Sequence, residues 1–310
     1  MALLEYGTQR LELPLTRLLG WLALAPGKYY EWRRRQGQPN RHNGIIPSRH
    51  WLQSWEREAI IAFARQHRQD GYRRLCYQMI DAEVVACAPS TVYRVLKAAG
   101  LLNAWEAKPT RKGQGFVQPT CAHAHWHIDI SYLNLQGTFY YLCTLLDGYS
   151  RWIVQWVLGE QMTEVEVAIL LQAAHEQHPE ATPRVISDNG PQFIAKEFKA
   201  FIRRSEMSQV HTSPAYPQSN GKLERWHKSL KDECIRPQTP ISLEDARQLI
   251  GVYVTTYNTE RLHSALGYVA PEAKLLGREQ HIFAERRRRL QQARQARLTA
   301  YQAQLRVPAA

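Results

Sequence analysis

Apolar residues in the first hundred positions recur every three or four residues, a spacing that predicts amphipathic helices. Residues 13–37 contain two such segments, LPLTRLLGWLAL and APGKYYEWRRRQG. The second has Pro26 in its first turn and ends before Gly37, as helices prefer. The stretch GQPNRHNGIIPSR then predicts a linker, because it holds two glycines and two prolines. Three more helices are predicted in SWEREAIIAFARQHRQ, GYRRLCYQMI and APSTVYRVLKAAG.

The pattern changes to strands beyond residue 120. WHIDISYLNL alternates apolar and polar residues, and GTFYYLCTLLDGYS and RWIVQWVL follow, with turns at Gly137 and Asp147-Gly148. These three runs predict an antiparallel meander. TEVEVAILLQAAHEQH reads as a helix that begins with a capping box of Thr163 and Glu166.

Strands and helices alternate after that helix. RVISD predicts a buried strand and QVHTS a short one, while helices are predicted in KEFKAFIRRS, SNGKLERWHKSLKDECI and SLEDARQLIGVYVTTYN. This order indicates an α/β domain with a sheet of mixed strand direction. The last stretch, FAERRRRLQQARQARLTAYQAQL, predicts a basic helix with little apolar surface, which we expect to order only against a partner or DNA.

Composition places the chain among globular proteins and excludes a membrane span. Of its 310 residues 44% are apolar, and no apolar run approaches the roughly 20 residues that a span needs. The N-terminal sequence lacks the features of a signal peptide. Five cysteines at unpatterned spacings favour a reducing cytosol over a disulfide framework, so we expect a cytoplasmic protein with no membrane partner.

Positive charge is concentrated at the two ends of the chain. Residues 1–120 carry 18 lysines and arginines against 9 acids, residues 276–310 carry 8 against 2, and residues 121–275 carry 14 against 17. Solvated surface explains part of this distribution. Segregation on this scale is more typical of a nucleic-acid binder.

Two of the predicted helices share a layout that suits DNA reading. Ala25-Pro26 precedes Tyr30 by the same interval that separates Ala88-Pro89 from Tyr93. In a helix-turn-helix unit a short turn leads into a helix whose exposed residues are polar in the first turn and basic further on. A helix whose basic face only contacts solvent has the same sequence pattern. The residues predicted to contact nucleic acid here are Lys28, Arg33, Arg34, Ser90, Thr91, Arg94 and Lys97.

Three acids stand out in the α/β segment. Asp129 lies in mid-strand, where aspartate is disfavoured, and Asp188 ends the strand RVISD, where ligands bind in open α/β sheets. Glu224 lies beside the packing stripe of its helix and shares a face with Lys228 and Lys231. Taken singly, Asp188 reads as a turn residue and Glu224 as a solvated partner of Lys228. Converging carboxylates repel one another unless cations lie between them, and such oxygen ligands suit two Mg²⁺ ions in a phosphoryl transfer.

Other polar residues predict structure rather than chemistry. Asp147, within LLDGYS, suits a turn. Cys121, His123, His125 and His127 alternate at one strand entry, but a zinc site needs a second ligand pair that the sequence does not show. We expect His227 to contact phosphate or solvent.

HIDISYL, LLDGYSRWIV, VISDNGPQF and SPAYPQSNGKLERWHKSLKDE resemble the core of the DDE transposases of the retroviral-integrase superfamily. The chain most resembles the second reading-frame product of the "IS-three" family of bacterial insertion sequences, from roughly residue 14 to 275. YNTERLHSALGYVAPEA is typical of that family's C-terminal end, and the 35 residues between Asp188 and Glu224 match its spacing.

The resemblance implies an RNase H-like fold in which Asp129, Asp188 and Glu224 hold two Mg²⁺ ions, with Mn²⁺ as a substitute. A water would cut one strand at the element's end, and the resulting 3′-hydroxyl would attack another phosphodiester. The substrates would be two kinds of double-stranded DNA, the ends of the insertion sequence and the target. A homo-oligomer in the bacterial nucleoid would bind both. The family's active protein is often a fusion, so an upstream reading-frame partner is an open alternative. Further DNA contacts are expected from Asn220, Lys222, Lys228 and Lys231.

The chain is accordingly expected to comprise five segments. They are helix-turn-helix and linker at 1–50, a second helix-turn-helix domain at 51–101, a basic linker at 102–120, an RNase H-like core at 121–276 and a basic helix at 277–310. Two alternative functions remain open: an RNase H-like nuclease that cuts without joining, and a catalytically inactive DNA-binding repressor.

Overall fold

The computed structural model describes residues 6–8, 10, 12–34, 36–37, 51–102, 118–211 and 221–306. The chain divides into two compact units, Met1–Trp51 and Leu52–Ala310. In the first unit helix α1 spans Leu15–Trp21 and helix α2 spans Pro26–Arg34, which confirms the two predicted helices. The predicted linker at 38–50 lies outside the described residues.

The second unit begins with three helices around a small apolar core. Helix α3 spans Ser54–Gln66, α4 spans Tyr72–Asp81 and α5 spans Pro89–Ala98, in agreement with the periodicity of the sequence. Ile60, Leu75, Met79, Val92 and Leu96 are buried between them. We call α3 to α5 the three-helix domain.

A five-stranded mixed sheet follows, with strand order β3-β2-β1-β4-β5. Its strands are β1 at His125–Leu135, β2 at Thr138–Asp147, β3 at Ile153–Gly159, β4 at Arg184–Ser187 and β5 at Ser208–His211. The first three pair antiparallel, whereas β4 lies parallel to both β1 and β5. The predicted meander and the mixed strand direction are both confirmed.

Helices cover both faces of this sheet, and alternation along β1 sorts its side chains between them. On one face Ile128 packs with helix α6, Glu164–Gln177, and with α8, Lys196–Arg204, which follows the short helix α7, Pro191–Ile194. On the other face Leu133 and Leu135 pack against helix α9, Gly221–Leu230, and helix α11, Leu243–Thr259. Asp129 belongs to this second face, so α9 is the helix that its carboxylate meets.

Helix α9 continues into a π-helical turn, Lys231–Ile235, and then into α10, Arg236–Gln238. After α11 come a 3₁₀ turn at Ser264–Leu266, helix α12 at Pro271–Leu275 and helix α13 at Glu279–Arg306. None of the helices in the described ranges combines the length and the apolarity needed to cross a bilayer.

The expectation that α13 orders only against a partner or DNA is wrong. The helix packs on the three-helix domain of its own chain, with Leu290 against the apolar core of that domain. Its arginines supply the contacts that its few apolar residues do not, because Arg286 pairs with Asp81 and Arg297 pairs with Glu56.

Candidate active site

Asp129 lies in the middle of β1, opposite Thr144 of β2. The aspartate side chain is only 20% exposed, and it points to the face of the sheet that α9 covers. A carboxylate in such a place loses hydration, and its ion-pair contact within the described residues is with the His227 ring. This strand position therefore favours a functional role over a structural one.

Asp188 follows the last residue of β4, the strand that pairs parallel with β1. Trp126 lies beside Val185 and His127 beside Ile186, the last pair of this ladder, which ends two residues before Asp129 and Asp188. The Asp188 side chain is exposed, and its Oδ1 accepts a hydrogen bond of 2.9 Å from the Gly190 amide, which makes it a turn residue as well.

Glu224 lies on α9, next to the stripe of Leu223, Trp226 and Leu230 that buries this helix against the sheet. Its exposed side chain lines an open cavity of about 440 Å³ together with Asp129. The basic side chains Lys228, Lys231 and Arg236 line the same cavity. Sequence reasoning thus placed Glu224 and its two lysines on the correct face of the helix.

Two of the three predicted carboxylates share this cavity, whereas Asp188 is not among its lining residues. Among the residues that the structure describes, no group of three or more His, Cys, Asp or Glu side chains is arranged to hold a metal ion. Strand position and helix packing bring Asp129 and Glu224 to one cavity, and β4, the strand before Asp188, is the parallel neighbour of β1.

His227 has a position that the sequence interpretation missed. We expected it to contact phosphate or solvent, but its side chain is buried and its Nδ1 lies 3.5 Å from Oδ2 of Asp129. The signal available in the sequence was its position three residues after Glu224. That spacing places His227 on the same side of α9 as the glutamate, towards the sheet.

Two of the expected DNA-contact lysines already hold internal hydrogen bonds. Lys231 Nζ donates to Ser131 Oγ at 2.9 Å, and burial together with Arg236 lowers its pKa. Lys222 Nζ donates to the Gly148 carbonyl at 2.9 Å, and burial with nearby Arg151 lowers its pKa to about 7. Lys228 is exposed at the cavity, and Asn220 lies outside the described residues.

The remaining candidates serve the architecture. The buried Asp147 carboxylate accepts hydrogen bonds from the amides of His123 and Ser150 and from Ser150 Oγ, at 3.0, 2.8 and 2.6 Å. These bonds fix the turn after β2. His123 also accepts a hydrogen bond from Trp126 Nε1 at 3.0 Å, and this bond fixes the backbone just before β1.

Comparison with known protein families identifies the segment that carries these acids. Residues 119–217 and residues 205–271 each match a model described as an integrase core domain. Over residues 119–271 the chain is therefore similar to the integrase core domain that also occurs in insertion-sequence transposases. The two matched segments include Asp129, Asp188 and Glu224 and the strands and helix that hold them.

Named relatives of this chain come from bacterial insertion elements. The transposase InsF for insertion sequence IS3A of Escherichia coli strain K12 is 25% identical over 81% of this chain and 90% of its own length. The 39.2 kDa protein of insertion element IS476 from Xanthomonas euvesicatoria is 26% identical over 68% of this chain. The matched region spans 62% of the length of that relative.

Solved integrases resemble the chain more distantly. The intasome of simian T-cell lymphotropic virus in complex with a PP2A regulatory subunit is 16% identical, with a TM-score of 0.46 over 70% of this chain and 74% of the viral one. The catalytic core of HTLV-2 integrase in complex with magnesium is 17% identical, with a TM-score of 0.41 over 50% of this chain and 97% of its own. The family assignment rests on the sequence matches alone.

Proposed function

We propose that this protein is a transposase that binds the ends of a bacterial insertion sequence, cuts a DNA strand there and joins the new 3′-hydroxyl to target DNA. The observation that carries the proposal is the cavity that Asp129 of β1 shares with Glu224. Strand β4, which pairs parallel with β1, ends at Ser187, directly before Asp188. The integrase core match over these residues supports the same chemistry.

The chemistry of the donor set fits divalent cations. Asp129, Asp188 and Glu224 are hard oxygen donors, and Mg²⁺ prefers a few carboxylates and leaves room for phosphate oxygens. These three residues would hold the ions, which when bound neutralise charge around the reacting phosphate and activate the attacking oxygen. Lys228, exposed on the cavity wall, adds positive charge where a DNA backbone would lie.

The proposed reaction is two phosphoryl transfers. In the first, a water oxygen forms a bond to phosphorus while the bond from phosphorus to the 3′ oxygen breaks, and that oxygen leaves as a 3′-hydroxyl. In the second, this hydroxyl attacks a target phosphodiester and displaces the target's own 3′ oxygen. Because no bond to the enzyme forms, catalysis consists of positioning and charge neutralisation. Two element ends must meet, so we propose a homo-oligomer.

An assay with end-labelled duplex tests this function against its alternatives. Candidate terminal repeats are incubated with the full chain and Mg²⁺, and the products are separated on a denaturing gel. We expect both a shortened strand and a longer, joined strand. Cutting without joining would indicate a nuclease, and a mobility shift without cutting would indicate a repressor; each result would overturn the proposal.

End recognition is proposed for the outward face of α5. Ser90, Arg94 and Lys97 are exposed there, and Thr91 accepts a hydrogen bond from Arg94 Nη2 at 3.3 Å. The basic end of α2, with Arg33 and Arg34, and Lys28 above the Trp32 ring offer a second surface in the other unit. The helix-turn-helix assignment and the five-segment division of the chain remain part of this proposal.

Arg94→Ala is expected to weaken binding to element ends by about 1–3 kcal/mol, because base and phosphate contacts of arginine contribute that much. A fluorescence-anisotropy titration with labelled end duplex measures the change. Arg65→Ala is the matched control, since Arg65 is also exposed in the three-helix domain but lies in the last turn of α3. Equal losses in the two variants would contradict a reading role for α5.

His227→Ala is expected to weaken Mn²⁺ binding by about 10-fold to 100-fold, because residues that orient a metal ligand typically contribute that much. Its ring would otherwise hold the Asp129 carboxylate in place from the buried side. Calorimetric titration of the DNA-free protein with Mn²⁺ measures this affinity, and His281→Ala, exposed on α13, serves as the control. Unchanged affinity in His227→Ala would contradict the role of this contact.

A further inference from the structure

Arginines of α13 bind the backbone as well as the acids of the three-helix domain. Arg289 Nη1 donates to the carbonyls of Ile80 and Asp81, at 2.7 Å each, at the end of α4. The buried Arg297 side chain donates to Glu56 through Nε and Nη2, and also to the Ala86 carbonyl at 2.6 Å. The outward face of α5 takes no part in these contacts.

Arg286 differs from its neighbours because it contacts two parts of the fold at once. Its Nε and Nη2 donate to the Asp81 carboxylate at 2.7 and 2.5 Å, and its guanidinium lies 4.8 Å from the centre of the Tyr77 ring. Nη2 also donates to the Tyr268 carbonyl at 2.7 Å, and Nη1 to that of Gly267 at 3.4 Å. Asp81 and Tyr77 belong to the three-helix domain, whereas residues 267 and 268 follow the 3₁₀ turn after α11. We call the sheet and its helices, residues 121–276, the proposed catalytic domain.

The turn at Gly267 and Tyr268 is shaped for this contact. Both residues have positive φ, 74° and 63°, a conformation that glycine adopts without strain. A Cβ on Gly267 would lie 2.8 Å from Cζ of Phe283, so this glycine also lets α13 approach. The Tyr268 ring stacks on Tyr77 with centroids 4.8 Å apart.

This turn is anchored to the proposed catalytic domain. His263 and Val269 form a backbone bridge around it, and the His263 ring packs edge-on against Tyr257 of α11. Tyr257 is buried in the same apolar cluster as Leu223 and Trp226 of α9, the helix that carries Glu224. A continuous set of contacts therefore joins Asp81 to the helix of the proposed catalytic glutamate.

We propose that Arg286 is a positioning residue that sets which phosphodiester near a bound DNA end reaches Asp129 and Glu224. This inference rests on the proposed function, with the three-helix domain as the reader of the end. Successive base pairs of DNA are about 3.4 Å apart, so a shift of that size between the reader and the proposed catalytic domain moves the cut by one position. The Arg286 guanidinium prevents such a shift because it binds Asp81 of the three-helix domain and the carbonyls of Gly267 and Tyr268 at the same time.

The test compares Arg286→Met with Arg288→Met in the full chain. Arg288 lies on the same helix but pairs with Glu285 on an exposed face. We expect Arg286→Met to bind end duplex within about twofold of the unmodified protein, while the fraction of cuts at the original position falls about fivefold and neighbouring positions are cut instead. Arg288→Met should keep the original position. A single unchanged cut position in Arg286→Met, or loss of end binding in that variant, would overturn the proposal.

Gly267→Val provides a second route to the same result without a change in the three-helix domain. It should spread the cut positions as Arg286→Met does, and an unchanged cut would count against the proposal.

A DNA-free measurement separates this inference from the proposed function. Tryptic cleavage after Arg289 and Arg297 should become about tenfold faster in both variants, because the opened state governs proteolysis. If the unmodified protein never cuts DNA, the proposed function is refuted. If the two variants are cleaved by trypsin at the rate of the unmodified protein, the proposed role of Arg286 in holding the two domains together is refuted.

Discussion

Asp188→Asn is expected to reduce strand cleavage by about a thousandfold or more while leaving end binding intact. Metal ions contribute several kcal/mol of charge stabilisation in phosphoryl transfer, and each 1.36 kcal/mol corresponds to tenfold in rate. An amide keeps the shape of the side chain, and its oxygen can still accept the Gly190 amide hydrogen bond. The turn is therefore preserved and the negative charge alone is lost. Denaturing gels of end-labelled duplex give the rate, and gel shifts give the binding.

Glu197→Gln is the matched control for this change. Glu197 is an exposed acid in the first turn of α8, a few residues beyond Asp188, and it does not line the cavity of Asp129 and Glu224. It should cut within about threefold of the unmodified protein, as exposed substitutions usually have small effects. Near-normal cutting by Asp188→Asn would remove Asp188 from the site and leave only two of the three acids.

Arg297→Met is expected to lower the free energy of unfolding by about 3–5 kcal/mol, because removing one partner of a buried ion pair leaves an uncompensated charge. The side chains of Arg297 and Glu56 are 6% and 5% exposed, and the arginine also satisfies the Ala86 carbonyl. Glu56 in addition accepts a hydrogen bond of 2.8 Å from the Gln53 amide at the start of α3. The variant therefore loses stability in the three-helix domain.

Urea unfolding followed by circular dichroism measures this loss. The double variant Glu56→Gln with Arg297→Met should recover more than half of it, since no isolated charge is then buried. Arg288→Met, on the exposed side of the same helix, should change stability by less than about 0.5 kcal/mol. A loss in Arg297→Met no larger than in Arg288→Met would mean that the pair contributes no net stability.

The strands and the helices were predictable from the sequence because the signals are local. Alternation in WHIDISYLNL assigned Asp129 to the face opposite Ile128, and the stripe of Leu223, Trp226 and Leu230 assigned Glu224 to the flank of its helix. The parallel pairing of β4 with β1, on which the approach of Asp188 to Asp129 depends, joins segments far apart in the chain, so no local pattern predicts it.

The position of α13 and the role of His227 were not predictable in the same way. Both depend on pairs far apart in the chain, such as Arg286 with Asp81 across 205 positions. Arginines that pair internally have the same local pattern as arginines that face solvent or DNA, so the run at 286–289 read as a nucleic-acid surface. His227 likewise reads as a polar residue on a basic helix until the packing of α9 against β1 is known.

The contact between Arg297 and Glu56 has a consequence for how the protein is made. The two residues are separated by 241 positions, so a ribosome that adds about 5–20 residues per second needs roughly 10–50 seconds to supply the arginine after the glutamate. During that interval the newly synthesised three-helix domain has no partner for Glu56. Nascent chains that stop before residue 297 would leave this domain with a buried acid that lacks its arginine, so the domain would be less stable and more exposed to proteases until late in translation.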